Sequence, residues 1–143
     1  MKIYKSKIYP EKTLHIVYRK DNFSALKNRS RKDLVDSNQF LQLSAMKLDL
    51  NQTFKPHYHI WKNGEEKIIA QESWVVIKGS VKCSFFDIDG KLLAQPILES
   101  GDCSVTLEGG HTYNILEKDT HVYEFKTGPY KGQKHDKKFL DEV

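Results

Sequence analysis

The chain has 143 residues, of which 38% are hydrophobic and 29% charged, so it is long enough for one domain with a buried core and too short for two full domains. Its formal net charge of +4 is spread thinly, with a denser lysine patch only between residues 131 and 138, which argues against a nucleic-acid-binding protein. No apolar run approaches the roughly 18 residues of a membrane-spanning helix. Neither a nucleic acid nor a membrane is therefore expected as a partner.

The first 38 residues predict an N-terminal extension that packs on the domain. They contain short extended pieces rich in strand formers, of which Leu14–Tyr18 is the clearest. A polar segment follows that allows a short helix from Ser30 to Val35, although its periodicity is weak. Its residues Arg29 and Arg31 are expected on a solvated surface; the alternative is that one of them holds a ligand phosphate through paired contacts.

Residues 39–130 predict the main domain, a run of short strands joined by polar turns. The predicted strands cover 40–48, 54–61, 72–77, 81–88, 91–98, 103–107, 112–116 and 122–125. Short strands at intervals of about 8–12 residues, with little helix signal between them, indicate an antiparallel sandwich or a small barrel. The last segment, 131–143, is charged and predicts a loosely packed tail.

A pair of histidines, His57 and His59, carries the strongest chemical signal. Successive side chains of a strand alternate, so both imidazoles point to the same face. Glu72 begins another predicted strand and His111 directly precedes a third, and these two residues can complete a set of divalent-metal ligands that leaves room for water or substrate. Burying these groups together is costly unless a cation satisfies them. The alternative is that the histidine pair is a surface or packing feature.

Two cysteines, Cys83 and Cys103, lie inside apolar strand-like stretches. The N-terminus has no apolar core of a secretory signal. We therefore expect two reduced, buried thiols in a cytoplasmic protein.

The spacing of these residues resembles the two motifs of the cupins, which are small double-stranded β-helix barrels. The first family motif contains a His-x-His pair, a spacer, a Glu, six further residues and a Gly. The second is a Gly, a spacer, a Pro/Gly turn, a His and an Asn. The matching residues of this chain, which span about 40–127, are His57, His59, Glu72 and Gly79, then Gly101, Gly109, Gly110, His111 and Asn114.

The chain departs from the cupin pattern within the first motif. Twelve residues separate His59 from Glu72, where the family usually has about three or four. We interpret them as a longer hairpin, which leaves Glu65 and Glu66 open as alternative ligands. In the second motif the Pro is missing and Asn114 falls one residue early. These differences leave the predicted barrel intact.

The resemblance implies an all-β cupin jelly-roll barrel that binds one divalent transition metal, with His57, His59, Glu72 and His111 as ligands. Iron, manganese, nickel and zinc all suit imidazole and carboxylate ligands. Cupins commonly pair through their sheets, so a homodimer is expected. The chain is also similar to the WbuC-type small cupins found with bacterial polysaccharide-biosynthesis enzymes. The similar segments are Asn38–Leu43, Phe54–His59 and Val122–Tyr130.

That neighbourhood favours a metal-dependent enzyme of surface-polysaccharide biosynthesis, isomerase- or epimerase-like, acting on a sugar or sugar nucleotide. Its candidate acid–base residues are His121 and Tyr113, although a histidine in the position of His121 is more often a packing residue. Trp74 shares a face with Glu72 and is either core or a stacking platform for a sugar. Two alternatives are a non-catalytic metal-dependent carbohydrate-binding module and an Fe(II)-dependent dioxygenase.

Overall fold

The structure, a computed structural model, describes residues 1–62 and 68–142. Antiparallel strands make up nearly half of the described chain and short helices only a small part, so the all-β prediction is confirmed. The strands are β1 (Lys2–Lys5), β2 (Thr13–Val17), β3 (Ser30–Asp33), β4 (Leu41–Leu48), β5 (His57–His59), β6 (Trp61–Lys62), β7 (Ile68–Ile69), β8 (Glu72–Lys78), β9 (Val81–Phe86), β10 (Leu92–Ala94), β11 (Ile97–Leu98), β12 (Cys103–Thr106), β13 (Gly110–Ile115), β14 (Thr120–Thr127) and β15 (Lys137–Phe139). Short 3-10 helices cover Lys20–Ala25, Gln133–His135 and Leu140–Glu142.

Two sheets form the barrel. One has the strand order β12-β8-β14-β4-β3, and the other has the order β10-β9-β13-β5-β15, with β11 also pairing with β9. Strands β1 and β2 form a separate two-stranded sheet, and so do β6 and β7. Both barrel sheets contribute to one buried core, whose members are Met46, Leu48, Trp74, Val76, Val81, Cys83, Leu98, Tyr113, Ile115 and Val122.

Alternation along the central strands places one set of side chains inside the barrel. In β8 and β14 every second residue is buried and the residues between them are mostly half-buried. This is the period of two that an extended backbone imposes. Between β8 and β9 the chain turns at Gly79, which has φ of +85°, and a side chain there would collide with Thr120. Glycine is the residue that adopts such a backbone without strain.

The N-terminal part of the chain covers the outer face of the five-stranded sheet. Phe23, from the first 3-10 helix, is fully buried in a cluster with Leu34 and Ala45. The helix predicted from Ser30 to Val35 is wrong, because Ser30–Asp33 is β3 and pairs with β4 at the edge of the sheet. Pairing with an existing strand satisfies the backbone polar groups of this segment, and that tertiary contact outweighs a weak local helix preference.

The C-terminal segment also belongs to the barrel, so the prediction of a loosely packed tail is wrong for residues 136–139. Strand β15 pairs with β5, with Lys137 opposite His59 and Phe139 opposite His57. Asp136, just before this strand, is 1% exposed. Ladder hydrogen bonds and a buried carboxylate hold this charged segment in place.

Both cysteines are free, as expected, but only Cys83 is buried. Cys103 is exposed because it occupies an outward position of β12, where burial alternates from residue to residue. The prediction of two buried thiols is therefore half wrong. Within the described residues, none of the helices has the length and apolar character needed to cross a membrane.

Candidate metal centre

Four predicted ligands from three strands meet inside the barrel. His57 and His59 come from β5, Glu72 from β8 and His111 from β13, where His111 lies directly opposite His57. One nitrogen or oxygen atom of each lies within 4.8 Å of the others. His111 is fully buried, and the other three residues are 5–6% exposed. The structure thus brings together the set that the sequence motifs proposed.

The distances between these atoms fit a shared cation. The Nε2 atoms of His57 and His111 are 3.2 Å apart. Oε1 of Glu72 lies 3.4 Å from His111 Nε2, and Oε2 of Glu72 lies 3.3 Å from His59 Nε2. With metal–ligand distances of about 2.0–2.2 Å, neighbouring donor atoms in one coordination shell are separated by about 3.0–3.5 Å.

Hydrogen bonds on the outer nitrogens orient the three imidazoles. His57 Nδ1 is 3.0 Å from the carbonyl oxygen of Lys55, and His59 Nδ1 is 3.3 Å from the carbonyl oxygen and from Oδ2 of Asp136. A carbonyl only accepts, so these Nδ1 atoms donate and leave the Nε2 lone pairs for a metal. His111 Nδ1 lies 2.9 Å from Thr106 Oγ1. Convergent lone pairs repel one another unless a cation lies between them, so the residues fit a divalent transition metal.

The environment sets the charge of each ligand. Burial, with the nearby charges of His111 and Lys137, lowers the pKa of His57 to about 3, and burial lowers the pKa of His111 to about 4. Burial opposes charge on His59 as well, but the hydrogen bonds that its ring N–H groups donate to Asp136 and Glu72 outweigh burial and raise its pKa to about 9. Burial would raise the pKa of Glu72, but the adjacent histidines and Lys126 lower it. A metal at this point would take the place of the His59 proton beside an ionised carboxylate.

A cavity of about 760 Å³ opens from this cluster and is lined by His57 and Glu72. Aromatic side chains cover part of its wall, with Trp74 stacked on Tyr113 at 3.7 Å between ring centroids. The Trp74 Nε1–H group donates to Glu72 Oε1 at 3.0 Å and to Glu124 Oε2 at 3.1 Å. The wall therefore combines aromatic side chains with fixed polar groups, as small-molecule sites usually do.

Several solved structures are similar to this barrel. KdgF from Halomonas sp. aligns over 71% of this chain and 80% of its own, with 20% identity and a TM-score of 0.54. Oxalate decarboxylase from Bacillus subtilis aligns over 72% of this chain with 17% identity and a TM-score of 0.56. The capsular polysaccharide assembling protein CapF from Staphylococcus aureus aligns over 82% with 16% identity and a TM-score of 0.64. The chain has the cupin fold.

At these identities the likeness establishes the cupin fold alone. The aligned region is 24% of the oxalate decarboxylase chain and 33% of the CapF chain. No protein-family model and no curated protein matches the sequence. The finer assignment to WbuC-type cupins therefore stays a prediction.

The other predicted site residues lie in different places in this cupin barrel. Tyr113 lines the cavity. His121 does not, because it faces the outer surface of the sheet, where it stacks on Phe23 at 4.6 Å and lies 2.8 Å from Asp119 Oδ1. The alternative ligands Glu65 and Glu66 lie outside the described residues.

Several cavity residues were not singled out from the sequence. Glu124 and Lys126 face inward from β14, opposite Trp74 and Glu72. The alternation of side chains along β14 could have identified them, because residues 124 and 126 share one face of the strand and His121 lies on the other. Arg31, which was weighed only as a surface residue or a phosphate ligand, lines the cavity and lies 2.7 Å from Glu124. Asp136 carried no recognisable motif, since its role depends on β15 pairing with β5.

Proposed function

We propose that this cupin binds one divalent transition metal and acts on a sugar or sugar nucleotide by isomerase- or epimerase-like chemistry. The observation that carries the proposal is that the cluster of His57, His59, Glu72 and His111 opens, through His57 and Glu72, onto a cavity of about 760 Å³. This volume is in the range of ligand sites for small organic molecules. The sequence resemblance and the CapF likeness support bacterial surface-polysaccharide biosynthesis as the setting. We expect a cytoplasmic homodimer.

The metal, when bound, supplies Lewis-acid polarisation of a substrate carbonyl, which suits isomerisation and epimerisation. The chain itself supplies binding and proton handling. Trp74, Tyr113 and Phe139 line the cavity, and the half-buried ring of Phe139 suits the apolar face of a sugar. Burial and the charge of Glu72 raise the pKa of Glu124, which makes this carboxyl group suited to holding and transferring a proton near the cluster.

The two residues first predicted for acid–base work have unequal support. Burial raises the pKa of Tyr113 well above its ordinary value, so its hydroxyl suits hydrogen bonding to a ligand better than removing a proton. His121 contacts Phe23 and Asp119 on the outer face. Its effect on chemistry would have to pass through the sheet, and Glu124 is the stronger candidate.

A second candidate function, a non-catalytic carbohydrate-binding module, is favoured by the ion pairs of the cavity wall. Glu124 is 2.7 Å from Arg31, and Lys126 is 3.1 Å from Asp136. Charges paired in this way hold a fixed shape for recognition more readily than they exchange protons. A third candidate, an Fe(II)-dependent dioxygenase, is compatible with a site of three imidazoles and one carboxylate that opens to a cavity.

The test combines metal analysis with turnover. Protein purified without a chelator or affinity tag is analysed for transition metals beside a His57→Ala/His59→Ala variant, and both are incubated with a panel of nucleotide sugars followed by NMR. Metal near one per chain, lost in the variant, with conversion of a sugar by the wild type alone, would support the proposal. A ligand that raises the melting temperature but emerges unchanged would favour the binding module. Iron with substrate-dependent oxygen uptake would favour the dioxygenase. Failure to bind any added metal would overturn all three.

A further inference from the structure

Lys137 stands beside the metal cluster on the strand that the C-terminal segment adds to the barrel. It lies opposite His59 in the antiparallel pair of β15 with β5. Directly opposed residues of such a pair project to the same face of a sheet. Lys137 lines the same cavity as His57 and Glu72, and its side chain is half-buried.

Lys137 differs from the other cationic side chains of the cavity, because each of those forms an ion pair with a carboxylate. Arg31 is 2.7 Å from Glu124 and 2.8 Å from Asp33. Lys126 is 3.1 Å from Asp136, and Lys55 is 3.0 Å from Asp141. Across residues 1–62 and 68–142, no carboxylate lies within 4.0 Å of the Lys137 ammonium group. Burial and the nearby charge of Lys126 lower the pKa of Lys137, so an anion placed beside it would be stabilising.

The charge balance of the cavity points the same way. Four cationic and four acidic side chains line it; they are Arg31, Lys55, Lys126 and Lys137, and Asp33, Asp36, Glu72 and Glu124. A divalent metal on the cluster adds two positive charges to this balanced wall. In a partly buried site such an excess is weakly screened and attracts an anion.

We propose that the ligand of this cavity is an acidic sugar or sugar derivative, and that Lys137 binds its carboxylate or phosphate group while the rest of the ligand reaches the metal cluster. This inference rests on the proposed function and narrows it to one substrate class. Lys137 is then a specificity-determining residue. Phe139, two residues further along β15 and opposite His57, lies on the same face and can pack against the sugar ring.

Calorimetric titration of the metal-loaded protein tests the proposal with three probes: D-glucose, D-glucuronate and D-glucose 1-phosphate. The wild type should bind at least one acidic probe about tenfold or more tighter than glucose, since charge-assisted hydrogen bonds are the strong ones. Lys137→Met should remove that preference and leave glucose binding and metal content unchanged, whereas Lys137→Arg should keep the preference. The matched control is Lys138→Met, because Lys138 is the exposed neighbour on the same strand.

Several outcomes would overturn the proposal. These are equal affinity for neutral and acidic probes, no binding of any probe by metal-loaded protein, equal weakening of all probes by Lys137→Met, or the same loss in Lys138→Met. The better acidic probe tells a carboxylate from a phosphate ligand. The result of this binding test can be told apart from the result of the turnover test of the proposed function. Turnover of neutral sugars alone would support the proposed function and overturn this inference. Lys137-dependent binding of an acid without any turnover would support this inference and overturn the proposed enzymatic function.

Discussion

The interior of the barrel has two chemically different ends, and the same strands build both. Inward-facing residues change in the same order along three of them: Glu72, Trp74 and Val76 on β8; His111, Tyr113 and Ile115 on β13; Lys126, Glu124 and Val122 on β14. We call the metal cluster with Lys126 the ionic end, and Val76, Ile115, Val122, Val81 and Leu48 the aliphatic end. Each central strand therefore takes part in both.

The two ends tolerate burial for different reasons. At the ionic end each charged group has a partner, so its desolvation is offset. At the aliphatic end close packing alone is stabilising. Trp74 separates them, because it is 2% exposed, stacks on Tyr113 and donates its Nε1–H group to both Glu72 and Glu124. The lesson is that a site of high electrostatic cost can be attached to strands whose other ends hold the fold, so the two ends should fail separately.

The largest expected effect is the loss of metal when the ionic end is broken. His111→Ala removes a fully buried ligand, and metal content measured by mass spectrometry should fall from about one per chain to about zero. The variant should keep its β-sheet circular dichroism, because the aliphatic end is untouched. His15→Ala, at an exposed position of β2, is the control and should keep its metal. Full metal content in His111→Ala would remove His111 from the ligand set.

The next effect is a loss of stability when the aliphatic end is broken. Ile115 is fully buried, so Ile115→Ala should lower the free energy of unfolding by about 2–5 kcal/mol. Urea unfolding of the metal-free protein measures this change. Ile88→Ala, at a residue that is 70% exposed, should change the same quantity by less than about 0.5 kcal/mol. If Ile115→Ala instead removed the metal from folded protein, the two ends would not be separable.

A smaller effect is expected from Asp136, which touches the ionic end from outside. Asp136→Asn weakens the contact of its carboxylate with His59 Nδ1, now 3.3 Å, and metal affinity should fall about 10- to 100-fold. Competition with a chromogenic chelator measures this affinity. Asp141→Asn is the matched control, since Asp141 lies in the same segment and pairs only with Lys55 among the described residues. Equal losses in both variants would indicate a general charge effect.

Much of the barrel and of its ionic end could be predicted from the sequence, and the residues that could not be predicted were missed for physical reasons. The strands of the barrel followed from local patterns, because alternation acts over short stretches. The four candidate ligands came from the His-x-His pair together with the resemblance to the cupin motifs, and the structure brings them together. Asp136, Lys137 and β3 were missed because they depend on pairing between segments distant in sequence. Glu124 was not predicted for another reason: the titratable residue proposed on β14, His121, lies on the opposite face of that strand. Cys103 was misplaced because an apolar stretch does not tell which face of β12 is covered.

The smallest expected effect concerns the two thiols, which report whether the buried core between the two ends is closed to solvent. Cys83 belongs to the buried core, and burial raises its pKa to about 12, so at pH 8 it is protonated as well as shielded. Since the thiolate is the reactive form, a disulfide reagent should modify one thiol per native chain rapidly, at the exposed Cys103. The second should react only after unfolding in urea. A Cys103→Ser variant should then show no fast phase, and two fast thiols in the wild type would mean that the buried core between the two ends opens in the native state.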